Sequence, residues 1–411
     1  MSSLEQSIES PSPSTHKWRQ HFLLDMPQAH PNCIWMHACS VGEVASILPL
    51  IHWLHTQHHH IHLTVVTRTG MLHAQRHLSN ISNTSISYLP WDLPSLMPQF
   101  TRTLQPALLL LAETEFWPGM LKACHKQAVK VVGINTRISD RSFPKYHATR
   151  FFWKRWLTHV DLFLPQNDTD AKRLIAIGVK PERTHVAGNL KYAIQASPVD
   201  TQSLRRHVDA SMQRPIILLA SSHEDEEQRI LDMYSQWHQQ QPDALVIIVP
   251  RHPERFEHVA ELIQSRGHRL SRWSEGDISP QADVILIDAM GILQTLYSIT
   301  DIAIIGGSLV PVGGHNPIEA AIYGRGVITG QYIQNFRDIM ADMQAQDAAI
   351  IAHSDKDLEQ AVVRLMQQPH ELRKLNASAA HFMQDKAQVL PRICEAIAPF
   401  LPTPPTTSTC D

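Results

Sequence analysis

The residues best suited to chemistry fall in short polar clusters, each directly after an apolar run. The first is Ser40-Val41-Gly42-Glu43. A Ser followed three residues on by Glu, at the head of an amphipathic segment, suits a capping box in which hydroxyl and carboxylate satisfy free N–H groups of the first helical turn. Glu43 is equally placed to take a proton as a general base, although the positive end of a helix lowers a carboxyl pKa and weakens it for that role. Glu113-Thr114-Glu115 puts two more acids after an apolar run. Paired acids suggest glycoside hydrolysis, which in its retaining form needs carboxyls held about 5 Å apart, and this is the weaker reading. Lys191, in Gly188-Asn189-Leu190-Lys191, offers a cation to an anionic ligand or simply a solvated side chain.

The second half carries groups suited to phosphate. Arg251 follows the apolar stretch ending at Pro250, where a guanidinium can hold a phosphate through two parallel hydrogen bonds. Gly313-Gly314-His315-Asn316-Pro317-Ile318-Glu319 reads as a glycine-rich loop running into a helix, with Asn316 at the N-cap, Pro317 at the first helical position and Glu319 at the third. Such a start exposes backbone N–H groups to an anion, and Glu319 either accepts from ribose hydroxyls or completes a capping box. Ser221-Ser222-His223-Glu224 and Asp288-Ala289-Met290-Gly291 also follow apolar runs, the latter offering backbone groups to a base ring.

These clusters need a scaffold that places the ends of many strands along one edge. Apolar runs at 34–37, 63–67, 86–89, 108–112, 129–135 and 162–165 alternate with helix-period segments, as in a parallel sheet with crossover helices. A second series, at 216–220, 245–249, 284–287, 302–305 and 327–328, follows a polar stretch. The expected organisation is α/β: a tail over 1–15, a Rossmann-like domain over 16–195, a linker over 196–214, a second Rossmann-like domain over 215–400 and a tail over 401–411, the two domains facing a cleft. In such sheets ligands bind beyond the carboxyl ends of the strands, which is where the polar clusters lie.

Composition narrows the function. With 36 basic and 39 acidic residues the net charge is -3, which gives no global field for a nucleic acid. Cys33, Cys39, Cys124, Cys394 and Cys410 make no CxxC pair or zinc spacing, and this suits a reducing, cytoplasmic compartment. The histidines at 58, 59, 60 and 62 fall in a turn and are assigned no metal. No apolar run approaches the roughly 18 residues a membrane span requires. Between 143 and 157, however, Phe143, Tyr146, Phe151, Phe152, Trp153 and Trp156 interleave with Lys145, Arg150, Lys154 and Arg155. That segment suits either a helix lying on an anionic bilayer or one burying its rings in the first domain, or a mixture of the two.

Taken in order, Ser40-Val41-Gly42-Glu43, Glu113-Thr114-Glu115-Phe116-Trp117-Pro118, Asn135-Thr136-Arg137-Ile138-Ser139, Gln166-Asn167, Gly188-Asn189-Leu190-Lys191, Pro250-Arg251-His252-Pro253-Glu254-Arg255-Phe256 and Gly313-Gly314-His315-Asn316-Pro317 resemble the 3-deoxy-D-manno-octulosonic acid (Kdo) transferases of lipopolysaccharide synthesis. The resemblance implies a GT-B fold, CMP-Kdo as donor, the lipid A precursor (lipid IVA) as acceptor, and inversion at the anomeric carbon with neither metal nor cofactor. It implies that Glu43 is the proton acceptor and that Glu113 and Lys191 stabilise the transition state. It also implies CMP contacts from Pro250, Arg251, Met290, Gly291, Asn316, Pro317, Ile318 and Glu319. The family usually has Glu where this chain has Ile292, so a contact there comes from backbone. The hydrophobic anchor usual at the family's N-terminus is not seen before Ile34, which implies peripheral attachment to the cytoplasmic face of the inner membrane. Two other readings fit the architecture: a nucleotide-sugar epimerase, which would convert a UDP-sugar without any acceptor, and a non-catalytic module that binds a sugar nucleotide.

Overall fold

Strand β1 (Cys33–His37) shows why the strands of the first half read as unbroken apolar runs. Successive side chains alternate in direction, so Ile34 and Met36 enter one apolar cluster while Cys33 and Trp35 enter another. β4 (Pro106–Ala112) repeats the pattern, with Leu108, Leu110 and Ala112 in the first cluster and Leu109 and Leu111 in the second. Both faces are covered, as a parallel sheet with crossover helices requires. The computed structural model describes residues 13–403 apart from Ala29 and Gln195.

β2 (Ile61–Val65), β3 (Thr84–Tyr88), β5 (Lys130–Thr136) and β6 (Leu162–Pro165) complete a six-stranded sheet ordered β3-β2-β1-β4-β5-β6, with every pair parallel. The strand order reverses between β1 and β4. Chains leaving those two strands diverge to opposite sides and open a crevice at their carboxyl ends.

The second half forms its own sheet from β7 (Ile216–Ser222), β8 (Leu245–Pro250), β9 (Leu270–Arg272), β10 (Val284–Leu286), β11 (Ile302–Ile305), β12 (Val327–Thr329) and β13 (Ala349–Ile351). Its order is β13-β12-β11-β7-β8-β10-β9, again with parallel pairs, and its reversal lies between β7 and β11. All the strands of the first sheet are legible as apolar runs in the sequence, whereas β9 and β13 are not. Each is a three-residue strand at a sheet edge, too short for a periodic signal.

The boundaries differ from those expected. One unit comprises 1–193 with 387–411, the other 194–386. The expected second domain at 215–400 therefore loses its last helix, Val389–Ile397, whose Val389, Ile393, Cys394 and Ile397 are buried in the first unit's core. The expected linker at 196–214 holds a helix, Thr201–Val208, capped by the Asp200 carboxylate on Ser203 N at 3.1 Å. Arg205 and Arg214 tie this stretch to the second unit by donating to the carbonyls of Ile299 and Ala282, each at 2.7 Å. The helix Pro13–His21 also takes the last residues of the expected 1–15 tail; 1–12 and 404–411, the rest of the two tail assignments, lie outside the described residues.

Candidate functional site

Glu43 sits in the first turn of the helix Val41–Thr56, directly beyond β1. Ser40 Oγ donates to its Oε1 at 2.9 Å and Cys39 N donates to its Oε2 at 2.8 Å, so the carboxylate does close a cap, reaching one residue further back than a standard box. The expectation that a helix start would depress its pKa is overturned. Burial pushes the Glu43 carboxyl up to about 7, with the charges of Glu115 and Glu113 adding to it and the bonds from Cys39 and Ser40 only partly opposing it. A carboxylate poised near neutrality is matched to proton transfer.

The other first-unit candidates converge on this point from β4 and β5. Glu113 adopts φ 51°, a left-handed conformation uncommon outside glycine, immediately after β4 ends. Burial raises its pKa, opposed by the positive charges of Lys191 and Arg137 and reinforced by Glu115 and Asp170. Glu115 behaves differently. Burial works to raise its pKa, but the His37 ring, with Nε2 3.6 Å from Oε2, and a 2.8 Å bond from Trp117 Nε1 outweigh it and hold the group below its ordinary value. Three neighbouring carboxyls are thus driven apart in pKa, which separates a group able to accept a proton from one that stays ionised.

Lys191 is positioned by a polar network built from the Asn135, Gln166-Asn167 and Gly188-Asn189 motifs. Asn135, itself at φ 50°, accepts Leu190 N on Oδ1 at 2.9 Å. Gln166 Nε2 donates to Asn135 O at 3.1 Å, Asn189 Nδ2 donates to Gln166 Oε1 at 3.1 Å, and Lys191 N donates to Asn189 Oδ1 at 2.9 Å. Asn167 caps the next helix through Asp170 N at 2.9 Å. Asn135 Nδ2 and Thr136 Oγ1 remain buried without a hydrogen-bond partner among the described residues.

Cys39 Sγ and carboxylate oxygens of Glu43 and Glu115 lie within 4.8 Å of one another, a grouping that could hold a metal ion. The Cys39 thiol is pushed up to about 12 by burial and by both carboxylates, so it is held as a neutral thiol.

In the second unit the pairing of β7 with β8 shifts register between Ala220 and Ser222, and Ser221 takes φ 56°, which turns the chain out at the strand end. Gly306, after β11, is needed here because a Cβ would lie 2.5 Å from Ser221 O. The buried Glu226 binds the two strand ends together by accepting from His223 N at 2.9 Å, Gly307 N at 2.7 Å and Leu309 N at 2.9 Å. Glu227 accepts from Ser222 Oγ at 2.6 Å and from both Arg255 nitrogens at 2.6 and 3.1 Å. Neither acid stands out in the sequence, where their only signal is an acidic run at a helix start.

Pro250 closes β8 and Arg251 is exposed beyond it, its N donating to Ser222 O at 3.0 Å. Asn316 Oδ1 accepts from Ile318 N at 3.1 Å, but the helix proper is the short Ile318–Ala321 with Pro317 at its N-cap, one residue later than expected, so Glu319 is its second residue and not its third. Burial raises the Glu319 pKa and the Arg251 charge opposes this, so these two candidates share one locality. His223 and His315 stack with ring centroids 5.1 Å apart and Nε2 atoms at 2.8 Å, one nitrogen donating to the other. Burial and the neighbouring His223, Arg251 and His252 lower the His315 pKa to about 4. Met290, Gly291 and Ile292 follow β10; Met290 is 51% exposed and Gly291 has open space about its Cα. Asp288 anchors their turn by accepting from Arg272 Nε and Ser274 N, each at 2.8 Å.

The basic aromatic segment is two helices, Phe143–Ala148 and Arg150–Leu157. Phe143, Tyr146, Trp153 and Trp156 pack against the second apolar cluster, whereas Phe151 is 78% and Phe152 52% exposed beside the exposed Arg150, Lys154 and Arg155. Among the described residues no helix is long and apolar enough to cross a membrane.

Residues 16–194 match the family described as 3-deoxy-D-manno-octulosonic-acid transferase (kdotransferase). The chain is 31% identical over 378 residues to a 3-deoxy-D-manno-octulosonic acid transferase of Haemophilus influenzae, covering 90% of this chain and 88% of that one. It is 30% identical over 383 residues to the Bordetella pertussis protein of the same name, covering 91% and 88%. Among solved structures, a UDP-N-acetylglucosamine 2-epimerase matches with TM-score 0.57 at 12% identity, covering 90% of this chain and 96% of that one. A glycosyltransferase from Rickettsia africae matches with TM-score 0.55 at 15% identity, covering 90% and 99%. These two likenesses concern the fold, which is α/β of the GT-B class. With curated relatives matched across most of their length, the chain belongs to the 3-deoxy-D-manno-octulosonic acid transferase family and is a glycosyltransferase.

Proposed function

We propose that the protein transfers Kdo from CMP-Kdo to a hydroxyl of the lipid A precursor with inversion and without a metal. The observation that carries this reading is Glu43, a carboxyl raised to about 7 at the strand-order reversal of the first sheet, beside Glu113 and the Lys191 loop. In this reading Glu43 takes the proton from the acceptor hydroxyl as its oxygen attacks the anomeric carbon, and the bond to the CMP phosphate breaks. Lys191 and Glu113 stabilise the charge that develops. Arg251 and the helix start at Asn316, Pro317 and Ile318 hold the phosphate, Glu319 the ribose, and Pro250, Met290, Gly291 and Ile292 the cytosine; the N–H groups of Gly313, Gly314 and His315 are spent on the carbonyls of Gly307 and Gly306. Support for metal independence comes from the carboxylates nearest the reaction: Glu43 and Glu115 already accept donors from Cys39, Ser40 and Trp117, and an arginine is available for the leaving phosphate.

The protein would meet its lipid acceptor at the cytoplasmic face of the inner membrane as a peripheral protein. Support comes from Phe151, Phe152, Lys154 and Arg155, which are exposed together. The test is incubation with CMP-Kdo and lipid A precursor, with and without EDTA, followed by mass spectrometry. A mass gain of one or more Kdo units that survives EDTA is expected. Turnover of UDP-N-acetylglucosamine without an acceptor would replace this reading with the epimerase, and no turnover of either donor would replace it with the non-catalytic module.

A further inference from the structure

A cavity of about 270 Å³ opens in the first unit, lined by Lys17, Trp18, His21, Val66, Leu89, Pro90, Trp91, Asp92 and Trp117. Its walls are three indoles and three aliphatic side chains. The polar groups among them are largely spent. His21 Nδ1 is 2.6 Å from Leu89 O, and Asp92 accepts from Gly119 N at 2.8 Å and Met120 N at 2.7 Å. Trp117 Nε1 is engaged by Glu115 at 2.8 Å. A polar ligand would gain few hydrogen bonds here, whereas an apolar one would dry Trp18 and Trp91, which are 56% and 46% exposed in the free protein.

Two further features say what kind of apolar ligand fits. Lys17, with Nζ 5.3 Å from the Tyr88 ring centroid, puts a cation on the lining, which suits an amphiphile with an anionic head. The cavity is also joined to the candidate catalytic cluster: Trp117 bonds Glu115, and Val66 N and Thr67 N donate to Cys39 O at 3.4 and 3.1 Å, while Cys39 N holds Glu43. Phe22, 47% exposed, stacks on Trp18 at 6.1 Å and extends the apolar surface outward. From this arrangement we propose that the Trp18, Trp91 and Trp117 cavity binds one acyl chain of the glycolipid acceptor, with the acceptor's phosphate toward Lys17. This rests on the reading above that the acceptor is the lipid A precursor, which is by its chemistry an acylated and phosphorylated glycolipid.

Because the cavity holds three tryptophans, intrinsic fluorescence reports occupancy without any turnover. The probe is dodecyl phosphate below its micelle concentration, with inorganic phosphate as the control. Saturable change with the former and none with the latter is expected, weakened about tenfold in Trp18→Ala and in Trp91→Ala, each the loss of one buried ring contact. Leu72→Ala, an exposed apolar side chain outside the cavity, should bind as the parent does. In transfer assays the two tryptophan variants should lose the parent's preference, in kcat/KM, for an acylated over a deacylated acceptor. Absence of saturable binding in the parent, or an affinity equal to the parent's in both tryptophan variants, overturns the proposal. Saturable binding without Kdo transfer to any acceptor would overturn the acceptor reading and leave the cavity an amphiphile site.

Discussion

Glu43 accepts two hydrogen bonds from its helix start and still titrates near neutrality, because burial and two neighbouring carboxylates outweigh the cap. The sign of its pH dependence follows. As a base it must be ionised, so kcat/KM should climb with pH through about 7 and level off above it. Its effect on stability runs the other way: the folded state holds the proton more firmly than the unfolded one, so this contribution is full below the ordinary value of 4.5 and is lost as pH rises through about 7. Glu43→Gln is neutral at every pH and retains a cap, so it should lose about 10² to 10⁴ in turnover while its Tm holds or rises relative to the parent above neutrality. Near-normal turnover would remove Glu43 from the mechanism. Glu115→Gln deletes a negative neighbour and should move the midpoint of the activity profile downward; an unmoved midpoint would mean that the two carboxylates do not interact. On the second unit, Arg251→Ala should weaken CMP binding by about 1.5 to 3 kcal/mol, the worth of a charge-assisted bond, as read by calorimetry.

At the scale of elements, the loop that presents Lys191 depends on a helix some 200 residues away in sequence. Gly188 has φ 99°, and a Cβ there would lie 2.6 Å from Val389 Cγ2. Gly188→Ala should therefore destabilise the fold by roughly 1 to 3 kcal/mol from backbone strain alone, with the clash added. Combining it with Val389→Ala removes the clash but not the strain, so a urea-denaturation cycle should show partial, not full, recovery. Complete additivity would mean that loop and helix do not touch in solution. Neither residue advertises this contact in the sequence: Gly188 reads as a turn, and Val389 reads as the core of the domain preceding it in the chain.

For the whole molecule, no helix among the described residues is long and apolar enough to cross a membrane, and the proposed lipid acceptor directs attention to the exposed surface. The segment at 143–157 divides its aromatic residues, four packed on the core and two exposed beside basic side chains. Each basic residue near an anionic leaflet contributes about 1 kcal/mol. Lys154→Glu/Arg155→Glu reverses two of them and should greatly reduce sedimentation with anionic vesicles at low salt, with little change for neutral ones. Equal sedimentation of parent and variant with anionic vesicles would exclude this surface as the contact.

The sequence by itself determined the parallel α/β class, the long central strands and the positions of the polar clusters, because these depend on local periodicity and on the rule that chemistry sits at strand ends. Ser40 with Glu43 as a helix start was readable for the same reason, its bonds spanning three and four residues, whereas the helix after Asn316 begins one residue later than expected. The tertiary structure alone decided the rest. The rise of Glu43 to about 7, the opposite shift of Glu115, the coupling of Glu113 to Lys191 and of Glu319 to Arg251, and the return of Val389–Ile397 to the first core all depend on groups far apart in the chain. Burial and charge proximity are properties of the packed interior, and no spacing along the sequence encodes them.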